Sequence, residues 1–319
     1  MKRVIKKLAV IGQGLIGSSI TRAVYKNGAA EEIAVTDISG DVRQRVKELG
    51  IGQSRVCATA AKTARDADLV IACVPVGQLG EVAAEIAPSL KPGAILSDVG
   101  SVKSVAIRDM QPQLPEGVHL VPAHPLAGSE FYGPDSGMPR LFEDKWCILT
   151  PAEGCDPHAV EITRKFWQAL GSHVEIMSAD RHDHVLSLTS HLPQLIAYSI
   201  FHTALRYEEE MQAEVIKYSA GGFRDFTRIA SSNPSMWRDI FLMNKEPCLA
   251  SLRQFMADLE ACAEAIEKED GERLLELFST SRTTRRKVIE KEHVSVQASR
   301  KNKGRKAPPL LRPYASDDD

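Results

Sequence analysis

Residues 8–17 read LAVIGQGLIG, an apolar run that ends in three glycines with the spacing G-x-G-x-x-G. In such a turn the first glycine allows a tight bend, the second lets the backbone approach a pyrophosphate, and the third lets helix and strand pack closely. The helix that follows offers unpaired N–H groups and its positive dipole end to phosphates. The stretch therefore predicts a strand, a dinucleotide-binding turn and a helix. The expected cofactor-binding residues here are Gly12, Gly14, Leu15, Ile16 and Gly17.

The next predicted strand, residues 32–37, ends in Asp37, 20 residues after Gly17. A carboxylate at this place bonds the ribose 2′-hydroxyl and repels a 2′-phosphate. The sequence therefore predicts NAD rather than NADP. Val74 and Pro75 follow another apolar run and are expected to line the same site.

Strand and helix patterns alternate up to about residue 180. Continuous apolar runs such as ADLVIACVPV, within 66–76, are typical of strands buried on both faces of a parallel sheet. Their alternation with helices predicts an α/β fold: a doubly wound Rossmann-type domain over residues 1–180. Beyond it the apolar spacing is helical, which predicts an all-helical domain over 181–296. Residues 297–319 are too poor in apolar side chains to fold, and we expect a disordered tail there.

Composition excludes several classes of protein. The 319 residues are 43% hydrophobic and 26% charged, too apolar for a disordered chain, and the net charge of −2 gives no field for nucleic acid or acidic lipid. No apolar run reaches the roughly 18 residues of a membrane span. The six cysteines contain no C-x-x-C pair and no disulfide framework. We therefore expect a cytoplasmic protein with neither a nucleic-acid nor a membrane partner.

Three further segments carry polar residues suited to chemistry: GSVK at 100–103, HPLAGSE at 124–130 and GGFRDFTRIA at 221–230. The first two follow predicted strands, where open α/β sheets bind their ligands. Residues 125–145 have a loop composition, and a loop of that length inside a compact domain usually serves function.

Together with SHLP at 190–193 and NPSMWRDIF at 233–241, these motifs resemble the prephenate/arogenate dehydrogenase family of tyrosine biosynthesis over about residues 5–290. The resemblance implies an NAD-dependent oxidative decarboxylation of prephenate to 4-hydroxyphenylpyruvate, or of arogenate to tyrosine. In this reaction the hydroxyl-bearing ring carbon loses a hydride, the hydroxyl loses its proton, and carbon dioxide leaves as the ring becomes aromatic.

The resemblance also implies roles for individual residues. His124 matches the catalytic histidine, whose ordinary pKa near neutrality suits it to accept the hydroxyl proton. Ser101 matches a hydroxyl that orients the reacting group, although a serine there is also typical of a helix N-cap. Arg228 matches the arginine that binds a carboxylate through two parallel hydrogen bonds. The other residues expected at the substrate are Ser129, Glu130, Asp183, His191, Gln194 and Trp237, with Asp183 paired to Arg228.

One position departs from the pattern. Some members carry a second histidine three residues after the one at His191, where this chain has Gln194. Glutamine does not titrate near neutrality, so the preference between prephenate and arogenate stays open. Pro193 is expected to remove a backbone hydrogen bond and kink its helix. The histidines at 182, 184 and 191 have no supporting cysteine cluster, and we expect no metal.

Two other interpretations use the same two-domain plan. A β-hydroxyacid dehydrogenase would need a catalytic lysine in the helical domain, which these motifs do not supply. A non-catalytic NAD-sensing regulator would have no need of His124, Ser101 and Arg228. Residues 246–268 form an amphipathic helix that must pack on something. Since the family dimerises through its helical domain and C₂ dimers are the commonest oligomers, we expect a homodimer.

Overall fold

The structure, a computed structural model, describes residues 4–129, 131–211, 214 and 216–302. Glu130, one of the expected substrate residues, lies outside this described part. No helix within these ranges combines the length and the apolar character that crossing a bilayer requires.

The main sheet has six parallel strands in the order β3-β2-β1-β4-β5-β6. Its strands are β1 (Ile5–Ile11), β2 (Ala30–Thr36), β3 (Arg55–Val56), β4 (Leu69–Ala72), β5 (Ile95–Asp98) and β6 (His119–Leu120). The helices between them are α1 (Leu15–Asn27), α2 (Gly40–Glu48), α3 (Ala60–Ala64), α4 (Leu79–Ile86) and α5 (Lys103–Met110). The strand order reverses between β1 and β4, the place where doubly wound sheets bind dinucleotides. The predicted Rossmann-type fold is confirmed.

The strand β1 shows how the sequence builds this sheet. Its residues alternate between two buried faces: Leu8 and Val10 enter one apolar cluster, and Ala9 and Ile11 enter the other. Both faces are therefore covered by helices, as the continuous apolar runs predict.

A second, three-stranded sheet carries the segment HPLAGSE. Strand β7 (Ala123–Pro125) runs antiparallel to β8 (Trp146–Leu149), which is parallel to β9 (His173–Ile176); α6 (Pro157–Ala169) joins β8 to β9. The sequence predicts that HPLAGSE begins beyond the end of a strand, which is wrong for His124, since it lies inside β7. The N–H of Val121 still donates to the carbonyl oxygen of Leu96 in the main sheet. Pro122, the next residue, has no N–H and cannot continue the ladder of β6. The Pro122 carbonyl accepts from Thr150, next to β8.

Helices follow β9, and no further strand occurs in the described residues. They are α7 (Ala179–Leu186), α8 (Leu192–Met211), α9 (Gly221–Thr227), α10 (Pro234–Met243), α11 (Lys245–Glu267) and α12 (Gly271–Asn302). Between α7 and α8 the chain forms one π-helical turn, Ser187–His191. Pro193 lies just after it and cannot supply an N–H to the carbonyl four residues earlier, which agrees with the predicted irregularity.

The last helix ends inside the segment for which the sequence predicts disorder. Helix α12 continues to Asn302, six residues into the 297–319 tail, and the disorder of that tail stays a prediction. Residues 303–319 lie outside the described part. Residues up to Leu252 form one compact unit, which contains all the site residues discussed below. The domain boundary near 180 stays a prediction.

Candidate active site

The glycine turn after β1 has the shape that a dinucleotide needs. Gly12 has φ +90°, and a Cβ there would lie 2.3 Å from the carbonyl oxygen of Cys73. A Cβ on Gly17 would lie 1.9 Å from the carbonyl oxygen of Gly12, so only glycine lets α1 approach the turn. A Cβ on Gly14 would meet nothing within 4 Å. Gly14 is the N-cap of α1 and offers no side chain to its N–H groups, which leaves a cradle that fits a pyrophosphate.

Asp37 lies directly after β2, beside this turn. Its Oδ2 accepts the N–H of Gln13 at 2.8 Å and its Oδ1 accepts the N–H of Ser39 at 3.0 Å. The carboxylate is therefore held against the glycine turn, the position from which it would reach a ribose. Val74 and Pro75 follow β4, and Val74 Cγ1 lies 3.4 Å from a Cβ built on Gly12. These residues fit NAD.

His124 is buried in β7, opposite Ile148 of β8, with 9% of its surface exposed. Its Nδ1 lies 2.8 Å from Nε2 of His182, a fully buried residue of α7. Nδ1 of His182 in turn lies 2.8 Å from Oδ1 of Asp183. The three side chains thus form a continuous hydrogen-bonded row.

Asp183 is the last residue of that row. The predicted ion pair between Asp183 and Arg228 is wrong, because the carboxylate has other partners. Oδ1 also accepts the N–H of Lys103 at 2.8 Å, and Oδ2 accepts the N–H of Ser104 at 2.9 Å, both at the amino end of α5. The carboxylate is 3% exposed. Although burial acts to raise it, the bonds from His182 and these amides hold the pKa of Asp183 below its usual range. Asp183 is therefore ionised.

Lys103 is completely buried under the same site. Its Nζ donates to Asp98 Oδ2 at 2.6 Å and to the carbonyl oxygen of Ala123 at 2.9 Å. Ala123 directly precedes His124, so the ion pair at the end of β5 fixes the backbone that carries the histidine. A buried ion pair of this kind needs extra hydrogen bonds to offset its desolvation, and the Ala123 carbonyl provides one.

The surroundings keep His124 neutral. Burial, with additional repulsion from His182 and Lys103, holds the pKa of His124 well below its usual value of 6.5. Burial also lowers the pKa of His182, against the opposing effect of Asp183. Both rings are therefore uncharged at neutral pH and have lone pairs that accept protons.

His191, in the π-helical turn, is linked to Asp183 through Asn244. Its Nδ1 lies 3.1 Å from Nδ2 of Asn244, which also donates to the main-chain carbonyl of Asp183 at 2.9 Å. An amide nitrogen only donates, so the proton of His191 is on Nε2. Burial lowers the pKa of His191 to about 4.

Two buried N–H donors here lack a partner among the described residues: Nε2 of His191 and Nε1 of Trp237. Their rings are 6.0 Å apart. Because an unpaired buried donor is unfavourable, these two groups are suited to an acceptor atom of a ligand.

Trp237 also lines a cavity of about 440 Å³. Other lining residues are Ser129, Pro193, Gln194, Arg228, Ile229 and Met236. Arg228 is exposed, so its guanidinium is free to meet an anion. Gln194 is buried and donates to the carbonyl oxygen of Ile229 at 2.8 Å, which ties α8 to the turn that carries Arg228. The cavity brings together the expected substrate residues 129, 194, 228 and 237.

Ser101 lies in the turn between β5 and α5, half-buried. The N-cap of α5 is Val102, so the alternative role of Ser101 as the cap is wrong. The structure shows no grouping of three or more His, Cys, Asp or Glu suited to a metal within the described ranges.

A second cavity, about 450 Å³, lies at the amino end of β2 and includes Lys7, Glu32 and Arg55. Open parallel sheets bind their ligands at the carboxyl ends of the strands, so this cavity is not assigned to the cofactor or the substrate.

Sequence reasoning missed three residues of the site: Lys103, His182 and Asn244. Lys103 lay within the motif GSVK, and a lysine after a buried strand that ends in Asp98 was a usable signal. His182 directly precedes Asp183, but only the fold shows that it meets His124, 58 positions away. Nothing in the local sequence marks Asn244.

Comparisons with known proteins agree with this geometry. The model of the prephenate dehydrogenase nucleotide-binding domain matches residues 20–176, and that of the prephenate dehydrogenase dimerization domain matches 178–280. Cyclohexadienyl dehydrogenase of Zymomonas mobilis is 43% identical over 88% of this chain and 96% of its own length. Prephenate dehydrogenase of Bacillus subtilis is 34% identical over 87% and 75%.

Among solved structures, prephenate dehydrogenase of Aquifex aeolicus in complex with hydroxyphenyl propionate and NAD⁺ superposes with a TM-score of 0.81. It is 31% identical, and the match covers 89% of this chain and 98% of that one.

Proposed function

The chain belongs to the prephenate dehydrogenase family, and we propose that His124 is the base of its reaction and Arg228 the anchor of its substrate. It is an NAD-dependent prephenate/arogenate dehydrogenase of tyrosine synthesis. This assignment replaces the two alternatives that the sequence left open, a β-hydroxyacid dehydrogenase and a non-catalytic regulator.

The hydrogen bond between His124 and His182 carries the proposal for the base. It occupies Nδ1 of His124 and leaves Nε2 as the nitrogen that is free to take the hydroxyl proton of the substrate. A base must be unprotonated before it acts, and the low pKa of His124 ensures this at neutral pH. The same burial excludes water that would compete for the proton.

Arg228 supplies the positive charge for a substrate carboxylate. Arg228 is exposed and lines the cavity that Trp237 also lines, and Nε1–H of Trp237 is buried without a partner among the described residues. Both are donors only, so they select acceptor atoms and orient an anionic substrate. We assign Ser101, Ser129 and His191 to substrate contacts as well. Gln194 holds the Arg228 turn through Ile229.

The glycine turn and Asp37 would hold the cofactor. When bound, NAD supplies the acceptor for the hydride. Gly14 leaves room for the pyrophosphate at the amino end of α1, and Asp37 fits the ribose. Asp37 supports the choice of NAD over NADP because its charge opposes a 2′-phosphate.

The assembly we propose is a homodimer through the helical part, in the cytoplasm. The match to a dimerization-domain model supports the dimer. Helices α11 and α12 expose large apolar side chains, among them Leu259, Ile266, Leu275 and Phe278. All six cysteines are free thiols, which suits a reducing compartment.

Assays with prephenate and arogenate side by side, each with NAD and with NADP, test this function. We expect NADH to accumulate with at least one of the two substrates and NADP to be used poorly. Absence of NADH formation with both substrates, in a folded protein that binds NAD, would overturn the proposal.

A further inference from the structure

We propose that His182 is a positioning residue for His124: it fixes which nitrogen of His124 takes the substrate proton, and it afterwards accepts the proton that His124 carries on Nδ1. This inference rests on the proposed role of His124 as the base. It concerns the hydrogen-bonded row His124–His182–Asp183, hereafter the proton row.

The direction of every bond in the proton row follows from Asp183. Its carboxylate is ionised and only accepts, so the proton of neutral His182 is on Nδ1, 2.8 Å away. Nε2 of His182 is then a bare acceptor. Since it lies 2.8 Å from Nδ1 of His124, the proton of His124 is on Nδ1. Nε2 of His124 is thereby left without a proton, as a base requires.

The backbone amides at the start of α5 stabilise this arrangement. The N–H groups of Lys103 and Ser104 both point at the Asp183 carboxylate, 2.8 and 2.9 Å away. They keep the carboxylate ionised and fix its orientation. The tautomer of His124 is therefore set by main-chain groups of a helix that does not itself carry the base.

The same row provides a place for the positive charge. When the substrate O–H bond breaks, its proton bonds to Nε2 of His124 and the ring becomes an imidazolium. The proton on Nδ1 of His124 then moves to Nε2 of His182, so one N–H bond breaks and another forms. His124 becomes neutral again, with its proton on Nε2, and the charge lies on His182 beside the Asp183 carboxylate.

The surroundings favour this transfer. The buried ammonium group of Lys103 opposes a positive charge on His124. Asp98 pairs with Lys103 and offsets part of that repulsion. The neighbouring Cys147 thiol offers no counter-charge, since burial raises its pKa well above the usual value. Of the two histidines, His182 is the one in contact with an anion.

Three variants separate positioning from packing. His182→Phe removes the acceptor but keeps an aromatic ring, and we expect kcat to fall about 10- to 150-fold, the effect of losing a hydrogen bond to a charged group. His182→Gln places an amide oxygen near the position of Nε2, and we expect it to rescue part of the loss. His184→Gln is the matched control: His184 lies on the same helix, is exposed, and should leave kcat unchanged.

The loss should appear in kcat, with KM for the substrate and the Kd of NAD nearly unchanged. In a His124→Asn background, His182→Phe should change kcat less than about two-fold, because the base that it positions is gone. Thermal unfolding of each variant shows whether it folds.

Three results decide the matter separately. A large loss for His124→Asn with full activity in His182→Phe overturns the positioning role and leaves the base intact. Equal losses from His182→Phe with and without His124 also overturn it, because they show a packing effect. Full activity in His124→Asn itself overturns the proposed role of His124 as the base, on which the positioning role rests.

Discussion

The cofactor turn and the proton row are built from different material. The turn consists of backbone, shaped by three glycines within six consecutive residues, 12–17. The proton row consists of side chains that come from β7 and α7 and are fixed by amides of α5. A turn made of backbone can be predicted from a few consecutive residues, and its shape is disturbed by adding a side chain. A row made of side chains depends on residues far apart in the sequence, and its hydrogen bonds are disturbed by removing one side chain.

The largest effect should follow from replacing the base. In His124→Asn the proton acceptor is lost, and kcat should fall about 10²- to 10⁴-fold with little change in KM. The Kd of NAD, measured by fluorescence titration, should stay as in the wild type, because the glycine turn is built separately. Weaker NAD binding in this variant would contradict the view that the glycine turn and the proton row are independent of each other.

Acid should lower the free energy of unfolding of the protein, because His191 is buried in its neutral form. The pKa of His191 is about 4 in the folded protein and 6.5 in the unfolded chain, so between these values the unfolded state binds more protons. Stability present above pH 6.5 is therefore lost as the pH falls, by about 3 kcal/mol from this residue at pH 4. Urea unfolding at a series of pH values measures it.

His191→Gln isolates that contribution from the carboxylates that titrate in the same range. The variant should lose less stability between pH 6.5 and 4 than the wild type does. Parallel curves for the two proteins would contradict a buried, neutral His191.

Arg228 should affect binding more than turnover. Arg228→Gln removes a charged hydrogen bond to a carboxylate that is present before and during the reaction. The expected loss is roughly 1.5–3 kcal/mol, which should raise KM about 10- to 150-fold at nearly constant kcat. Arg224→Gln, an exposed arginine one turn earlier, is the control and should behave as the wild type. Equal effects of the two substitutions would remove Arg228 from the site.

The smallest effect concerns the choice of cofactor. Asp37→Ser removes a bond to the ribose and the repulsion of a 2′-phosphate, so the preference of kcat/KM for NAD over NADP should fall by about 10-fold or more. Turnover at saturating NAD should change little. A wild type that already uses NADP as well as NAD would refute this role of Asp37.

The same contrast explains how much of the molecule the sequence could predict. Strands β1, β2 and β4, the glycine turn and Asp37 follow from local periodicity and spacing, and the structure has them where they were expected. The interruption of the strand at Pro122 places His124 in a second sheet. It could not be predicted, because it depends on the pairing of β6 with β5 and of β7 with β8, and the sequence does not show which strands pair. The residues His124 and Arg228 came from motif resemblance. The partners of Asp183 did not, since a family pattern gives residue types without the hydrogen bonds that a particular fold provides.

The protonation state of His124 tests the central claim most directly. Nitrogen NMR of histidine-labelled protein, with His124→Asn used to assign the signal, reports the charge and the tautomer of the ring. The predicted result is a neutral ring through and below pH 6.5, protonated on Nδ1 with Nε2 bare. A ring that becomes charged near pH 6.5, or one that carries its proton on Nε2, would contradict the role of His124 as a base prepared by its neighbours.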